Sequence, residues 1–320
     1  MQNFHKLTVL LPVYNPKPEW LSISISSILN QTYKSFSLVI IDDGSNEQTQ
    51  NLLEKFKRRD DRIYIIRNPK NLGLIKSLNI GLKSTTSEFI ARMDADDWCY
   101  PERLELQLGY LENHPEISVL ATNAIWMDTR KQISKEQITQ HEDIIATLPF
   151  YCCIVHPSVM FRRQEIIDIG GYPEVYGAED YALWAKICYT TNLKMAILPR
   201  ICLQYRRGNN TVKYQGKQDV SSQKVKRFIF NSIASEFPIN TTNSFSSTDN
   251  RELTLTDIKL LYNFLNKKKD INHKLLRLNS LRSSKNYLKK TKTHNFIVFF
   301  KQKISYVFIK AKLFFMAGEI

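Results

Sequence analysis

The first 93 residues alternate between short apolar segments and longer segments with helical spacing, and this alternation restricts the fold more than any other feature. In 19–31, for example, Trp20, Ile23 and Ile28 can lie on one face of a helix. Strands that alternate with helical segments of about 10–15 residues indicate a parallel, doubly wound sheet. We therefore predict an α/β fold whose first four strands cover residues 7–11, 38–41, 63–66 and 89–93.

Three carboxylates, Asp94, Asp96 and Asp97, directly follow the fourth predicted strand. Ligands of open parallel sheets bind in the crevice beyond the carboxyl ends of the strands. Asp94 and Asp96 point to the same side of an extended chain, about 6–7 Å apart, and such hard oxygen donors suit Mg²⁺ or Mn²⁺. An isolated Asp-x-Asp more often marks a solvated turn that caps the next helix, so this interpretation needs support from elsewhere in the chain.

Glu179 and Asp180 form a second acidic pair, which begins another predicted helix. The helix dipole favours acidic residues in a first turn whether or not they have a further role. By themselves these two residues therefore leave a structural and a chemical interpretation open.

Composition indicates a globular protein whose charge is concentrated at one end. Hydrophobic residues make up 43% of the 320 residues, enough for one large domain over 1–220 and a helical, basic extension over 221–320. Residues 267–320 carry fourteen Lys or Arg and two acids, and so contribute +12 of the net charge of +14. Because the remainder is almost neutral, we predict no nucleic-acid binding.

The sequence shows no sign of export. The N-terminus lacks the pattern of a signal peptide, and no stretch of about 20 residues is apolar and uncharged. The five cysteines are odd in number and lack the spacing of a zinc site. We therefore expect reduced thiols in a cytoplasmic protein.

The C-terminal extension ends in a basic amphipathic segment. Residues 257–290 are predicted to be helical, after an Asn/Ser/Thr-rich linker at 239–256. In 296–316, apolar residues recur at helical spacing while lysines lie off that face. Such a segment favours an anionic membrane surface. The alternative is that its apolar face packs on the body or on a partner.

Eight short motifs occur in an order that resembles one protein family. They are P-V-Y-N at 12–15, S-I-L-N-Q-T-Y at 27–33, I-D-D-G-S at 41–45, N-x-G at 71–73, R-M-D-A-D-D at 92–97, P-E-R at 101–103, H-P-S at 156–158 and G-A-E-D-Y at 177–181. Over residues 5–207 the chain resembles the inverting GT-A glycosyltransferases of family 2, of the type that builds bacterial capsule, O-antigen or lipooligosaccharide. The resemblance implies a GT-A doubly wound, mainly parallel sheet with flanking helices.

The resemblance also implies roles for individual residues. The nucleotide base and ribose would be held by Pro12, Tyr14 and Asp43, and Asp94 would contact ribose or metal. Asp96 would be the principal ligand of Mn²⁺ or Mg²⁺. Asp180 would be the general base, Glu179 would position the acceptor, and His156 would lie on the acceptor side. The chain has Leu78 where many relatives carry a basic residue, so Arg92 or Lys76 is a candidate contact to phosphate or base.

The expected activity is transfer of one sugar from a nucleotide-sugar, a UDP-sugar, to a hydroxyl of a growing surface glycan, with a β-linkage as the product. The acceptor would be polyprenyl-diphosphate-linked, at the inner face of the cytoplasmic membrane. The Q-x-x-R-W signature of processive members is absent, which favours one sugar per encounter. Two alternatives are a catalytically silent assembly subunit at the membrane and a sugar nucleotidyltransferase. The latter would need a Gly-rich phosphate loop where this chain has P-V-Y-N-P-K-P.

Overall fold

The computed structural model describes residues 4–133, 138–206, 215–234, 254–266 and 271–290. Its first third contains the predicted alternation of strands and helices. The strands are β1 (Leu7–Val13), β2 (Phe36–Asp42), β3 (Ile63–Arg67) and β4 (Phe89–Arg92), and the helices are α1 (Pro18–Leu29), α2 (Glu47–Lys57) and α3 (Leu74–Ser84). All four predicted strands are confirmed.

The rest of the described chain adds four strands and seven helices. They are β5 (Trp98–Cys99), α4 (Arg103–Asn113), β6 (Ile117–Trp126), α5 (His141–Thr147), β7 (Met160–Arg162), α6 (Arg163–Asp168), α7 (Glu179–Thr190), β8 (Lys194–Tyr205), α8 (Gln215–Ala234), α9 (Leu255–Leu265) and α10 (His273–Lys290). Helix α4 begins at Arg103, directly after a turn formed by Pro101 and Glu102. The sequence patterns missed β5, α5 and β8.

The eight described strands form one mixed sheet in the order β3-β2-β1-β4-β7-β6-β8-β5. The first four are mutually parallel, β6 is parallel to β8, and β7 is antiparallel to both of its neighbours. Because β1, β2 and β4 run in the same direction, the loops that follow them meet at one edge of the sheet. The acidic residues after β2 and β4 therefore lie on the same side of the molecule.

Helices cover both faces of this sheet. Successive side chains of β1 point to opposite faces, so Leu10 packs with Leu78 while Leu11 packs with Ile25 of α1. The five cysteines, all within the described residues, are free thiols, as predicted.

The C-terminal helices pack on the body of the protein. Asn272 donates from Nδ2 to Asp143 Oδ1 (2.7 Å), which joins the start of α10 to α5. Eight of their apolar side chains, together with Ile271 just before α10, are buried in the same core as Trp184 of α7; the eight are Val225, Phe228, Ile229, Ile233, Ile258, Leu261, Leu265 and Leu276.

Two sequence predictions concern this part of the chain. The predicted boundary at 220/221 falls within α8, and the division into two domains stays a prediction. The amphipathic segment 296–316 and all but the last three residues of the linker 239–256 lie outside the described residues. Among the helices that the structure describes, none has the length and apolar character needed to cross a membrane.

Candidate active site

Asp94, Asp96 and Asp97 form a cluster of oxygen ligands after β4. One carboxylate oxygen from each lies within 4.8 Å of those of the other two. Asp97 is buried, and its Oδ1 accepts a hydrogen bond from the backbone N–H of Arg206 (2.8 Å). Its buried Oδ2 has no hydrogen-bond partner among the described residues. Three close carboxylates with an unpaired oxygen fit a hard divalent cation such as Mg²⁺ or Mn²⁺.

The electrostatics of this cluster agree with that fit. Burial and the charge of Asp94 raise the pKa of Asp96 to about 6. Burial, together with the charges of Asp94 and Asp96, raises the pKa of Asp97 well above its usual range. Carboxylates this close repel one another. A cation would relieve that repulsion and would be held by all three residues, of which the sequence patterns assigned only Asp94 and Asp96.

Arg92, the last residue of β4, lies between this cluster and the second acidic pair. The residue is only 2% exposed, and its Nη2 is 2.6 Å from Asp94 Oδ1. Its Nε and Nη1 are buried without a hydrogen-bond partner among the described residues. Its charge opposes the rise in pKa of both Glu179 and Asp180. The predicted contact of Arg92 with phosphate or base stays a prediction, and its observed partner is Asp94.

Glu179 and Asp180 occupy the first turn of α7. Glu179 Oε2 accepts from the backbone N–H of Gly177 (3.1 Å), and Asp180 Oδ1 accepts from that of Tyr181 (2.7 Å). Burial and the charge of Asp180 raise the pKa of Glu179 to about 7. Burial also raises the pKa of Asp180, although the Tyr181 N–H and Arg92 oppose this shift. Of the two, Asp180 lines a cavity.

This cavity has a volume of about 440 Å³ and lies beyond the ends of β6 and β8. Asp180 and His156 lie on its wall together with Trp126, Tyr151 and Tyr205. His156 Nε2 is 2.9 Å from the hydroxyl of Tyr172. Burial and the charge of Arg92 lower the pKa of His156 well below its usual value, so the imidazole is neutral at physiological pH. The structure thus brings Asp180 and His156 to one cavity.

The residues predicted to hold the nucleotide lie at the ends of β1 and β2. Pro12 is buried in β1, while Tyr14 is 54% exposed in the loop that follows. Asp43 is 3% exposed, and its carboxylate accepts from the backbone N–H groups of Leu72 (2.8 Å) and Gly73 (2.9 Å). Asp43 therefore orders the N-x-G loop at 71–73. Its predicted contact with the base stays a prediction.

Asp97, Arg206 and Tyr172 are site residues that the sequence patterns left without a role. Arg206 donates from its backbone N–H to Asp97 and from Nε to the backbone oxygen of Asp96 (2.8 Å). It follows β8, a strand that the sequence did not reveal. The only sequence signal for Asp97 was its place in the same acidic run as Asp94 and Asp96.

Comparison with protein families identifies the chain. The sequence model described as Glycosyl transferase family 2 matches residues 8–170, which is half of the chain. The chain belongs to glycosyltransferase family 2. The matched region contains the acidic cluster and His156, and it ends nine residues before Glu179.

Relatives of this family 2 glycosyltransferase include proteins of bacterial polysaccharide synthesis. An uncharacterized glycosyltransferase of Haemophilus influenzae is 33% identical over 244 residues, covering 71% of this chain and 74% of that protein. The amylovoran biosynthesis glycosyltransferase AmsE of Erwinia amylovora is 32% identical and covers 68% and 82%. The O-antigen biosynthesis glycosyltransferase WbnJ of Escherichia coli is 31% identical and covers 65% and 82%.

Solved structures of distant sequence share the fold. The mannosyltransferase PcManGT of Pyrobaculum calidifontis, in complex with GDP-Man and Mn²⁺, superposes with a TM-score of 0.58 at 15% identity, covering 92% of this chain and 76% of that one. S. aureus TarS 1–349, in complex with UDP-GlcNAc, superposes with a TM-score of 0.54 at 20% identity and covers 88% and 89%. At such identities these likenesses bear on the fold alone, and the predicted GT-A fold is confirmed.

Proposed function

We propose that this family 2 glycosyltransferase is a metal-dependent, inverting enzyme that transfers one sugar from a UDP-sugar to a hydroxyl of a growing surface polysaccharide. The observation that carries the proposal is the placement of two acidic groups at one end of the sheet. One fits a divalent cation, and the other presents Asp180 to a cavity. The names of AmsE and WbnJ support a surface polysaccharide as the product, and the bound nucleotide-sugars and Mn²⁺ of the two solved structures support the donor and the metal.

The reaction follows from the positions of these groups. Asp180 takes the proton of the acceptor hydroxyl as its oxygen forms a bond to the anomeric carbon of the donor sugar. The bond from that carbon to the diphosphate oxygen breaks, and the electron pair leaves with the nucleoside diphosphate. One in-line displacement inverts the configuration, so an α-linked donor gives a β-linked product.

Asp94, Asp96 and Asp97 would hold the cation. When bound, it supplies neutralisation of the negative charge that develops on the leaving diphosphate. The role of the protein in this step is to keep the three carboxylates close together, with Arg206 binding the loop from one side and Arg92 pairing with Asp94 from the other.

The proposal extends to the place of action. We infer that the acceptor is polyprenyl-diphosphate-linked and that the enzyme acts at the inner face of the cytoplasmic membrane. The support is the charge of +12 in residues 267–320, together with the amphipathic pattern of 296–316.

The test is a panel of sugar nucleotides incubated with Mn²⁺, with released nucleoside diphosphate as the readout. We expect slow, metal-dependent hydrolysis of at least one UDP-sugar. Asp96→Asn should abolish this hydrolysis and the metal-dependent part of nucleotide binding, because the amide keeps the shape but loses the charge. Full activity of this variant at ordinary Mn²⁺ concentrations would show that Asp96 does not hold the metal.

A further inference from the structure

We propose that the cavity beside Asp180 is the acceptor subsite and that it binds one uncharged pyranose ring, whose C–H face lies against the indole of Trp126. This inference rests on the proposed function, because it needs Asp180 as the group that faces the acceptor hydroxyl. It adds the chemical class of the acceptor residue and the side chains that recognise it.

Two aromatic rings form one wall of the cavity. Trp126 ends β6 and Tyr205 ends β8, and the two are directly paired across these parallel strands. Their ring centroids are 5.5 Å apart, and the ring planes are inclined at 54°. The backbone N–H of Met127 donates to the backbone oxygen of Tyr205 (2.9 Å), which fixes the strand ends at this point. The aromatic wall is therefore held by the sheet.

The rest of the lining carries the polar groups. It comes from the segment 151–156, from Asp180 at the start of α7 and from Ile133. Tyr151 lies at the rim and is 37% exposed, whereas His156 is buried. The volume of about 440 Å³ is in the range of small-molecule sites, roughly 300–1,000 Å³. A ring bound in this cavity would therefore meet both aromatic side chains and hydrogen-bonding groups.

A pyranose matches this division. The negative face of an aromatic ring attracts the weakly positive C–H groups on one side of the sugar, while the hydroxyls at its edge reach polar partners. With one face of the sugar on the indole, the hydroxyls at its edge are the groups that can reach Asp180. The same contact that recognises the ring thus presents an oxygen to the base.

The charge of the lining favours an uncharged sugar. Burial raises the pKa of Tyr151 to about 12 and that of the Cys152 thiol well above its usual value, so both stay protonated at neutral pH. His156 is neutral for the reason given above. Among the described residues, no Lys or Arg lines the cavity, and Arg92 below it is paired with Asp94. No described residue of the lining would offset the charge of a uronate or phosphate beside Asp180, and like charges repel.

Binding of octyl β-glycosides tests the inference directly. The probes are octyl glucoside and octyl galactoside, each with its matched uronide, in the presence of UDP and Mn²⁺, and the readout is saturation-transfer NMR. We expect at least one neutral glycoside to bind, with the strongest transfer to one C–H face, and its matched uronide not to bind.

Substitutions at Trp126 then test the site itself. Trp126→Leu keeps an apolar side chain but removes the ring, and it should weaken binding of the neutral glycoside about tenfold, equivalent to about 1.4 kcal/mol. Trp126→Phe should retain most of the affinity. Tyr110→Leu is the matched control, because Tyr110 stacks on His114 near the start of β6, at the other end of that strand.

The possible outcomes separate this inference from the proposed function. Calorimetry of UDP binding reports the donor side and should be the same for all these proteins. If UDP binds but no neutral glycoside does, or the uronides bind as well, or Trp126→Leu has no effect, the inference is wrong and the proposed function stands. If the unaltered protein does not bind UDP, the proposed function itself fails.

Discussion

Arg92 is the residue that connects the two acidic groups. It is a buried cation within a region that holds five carboxylates, and it forms a close ion pair with one of them, Asp94. Burying a charge is costly unless it is paired, so this arrangement is stable only because the negative charges surround it. Arg92 in turn favours ionisation of Asp180, which must be charged to act as a base.

The first residue-scale prediction concerns this charge. Arg92→Met removes the cation, so the pKa of Asp180 should rise further, and the acid limb of the pH profile of kcat should move to higher pH. Arg92→Lys keeps the charge without the planar fork and should leave that limb closer to its original position. The measurement is sugar transfer as a function of pH. An acid limb that is the same in all three proteins would show that Arg92 has only a packing role.

The second residue-scale prediction concerns which of the two neighbouring acids, Glu179 or Asp180, is the general base. Asp180→Asn should bind nucleotide normally but lose transfer by about 10²–10⁴-fold, the usual contribution of a general base. Because the base works only when ionised and its pKa is raised, activity of the unaltered enzyme should fall with falling pH at a higher pH than an ordinary aspartate would give. Glu179→Gln is the matched variant. If it were inactive while Asp180→Asn retained transfer, Glu179 would be the base.

At the scale of elements, α3 joins the nucleotide side of the site to the cavity. Its first turn follows the loop that Asp43 holds through Gly73. In the middle of α3, the side chain of Asn79 donates to the backbone oxygen of Tyr172 (3.0 Å) and accepts from the backbone N–H of the same residue (2.9 Å). Tyr172 then contacts His156 through its hydroxyl. One helix therefore positions residues on both sides of the reacting atoms.

Asn79→Ala tests this link. It leaves both buried backbone groups of Tyr172 without their partner, and we expect a loss of about 1–3 kcal/mol in the free energy of unfolding. Transfer should become weaker through a higher acceptor KM, because Tyr172 and His156 lose their support. Denaturant unfolding and steady-state kinetics are the measurements. Lys83→Ala, on the exposed side of the same helix, should change neither.

Gly171→Ala should also lower the free energy of unfolding and raise the acceptor KM, but for a different reason. Gly171 has a φ of +71°, and a Cβ there would lie 2.4 Å from Asn79 Oδ1. Alanine would therefore strain the backbone and push the amide away from Tyr172. A fully stable Gly171→Ala protein with an unchanged acceptor KM would contradict this account.

At the scale of the whole molecule, the C-terminal region has two parts with different roles. The described helices between 221 and 290 contribute eight buried apolar side chains to the core on one face of the sheet, and Ile271 before α10 adds a ninth. Burying one such side chain contributes about 1.5–3 kcal/mol, while a whole domain is stable by only about 5–15 kcal/mol. These helices are therefore needed for the fold, whereas the residues beyond 290 carry the amphipathic pattern.

Two truncations separate these roles. A protein that ends at residue 290 should fold, should be active on a soluble acceptor and should no longer sediment with anionic vesicles. The full chain should bind such vesicles and should bind less as salt rises, because ions screen the basic residues. A protein that ends at residue 220 should aggregate. Vesicle binding by the 290-residue protein equal to that of the full chain would exclude the tail as the membrane contact.

The sequence alone determined the parallel half of the fold and the two acidic groups. Strands β1 to β4 were predictable as short apolar runs, since β1, β2 and β4 are buried along their whole length, and the helices between them were predictable because each buries one face, which appears as a helical period. Asp94, Asp96 and Asp180 stood out locally as acids directly after an apolar strand or at a helix start, and the ordered motifs of the family resemblance supplied their predicted roles.

Only the tertiary structure decided the rest of the site. Strand β8 contains Pro199 and Arg200, which fall where the register with β6 shifts, so its strand character comes from pairing with β6 rather than from a local pattern. Arg206 reaches Asp97 from 109 residues away, and Arg92 on strand β4 acts on Asp180 in helix α7. These contacts join residues that are distant in sequence, and their energies depend on distance and burial in the folded chain. No period or spacing along the sequence records them.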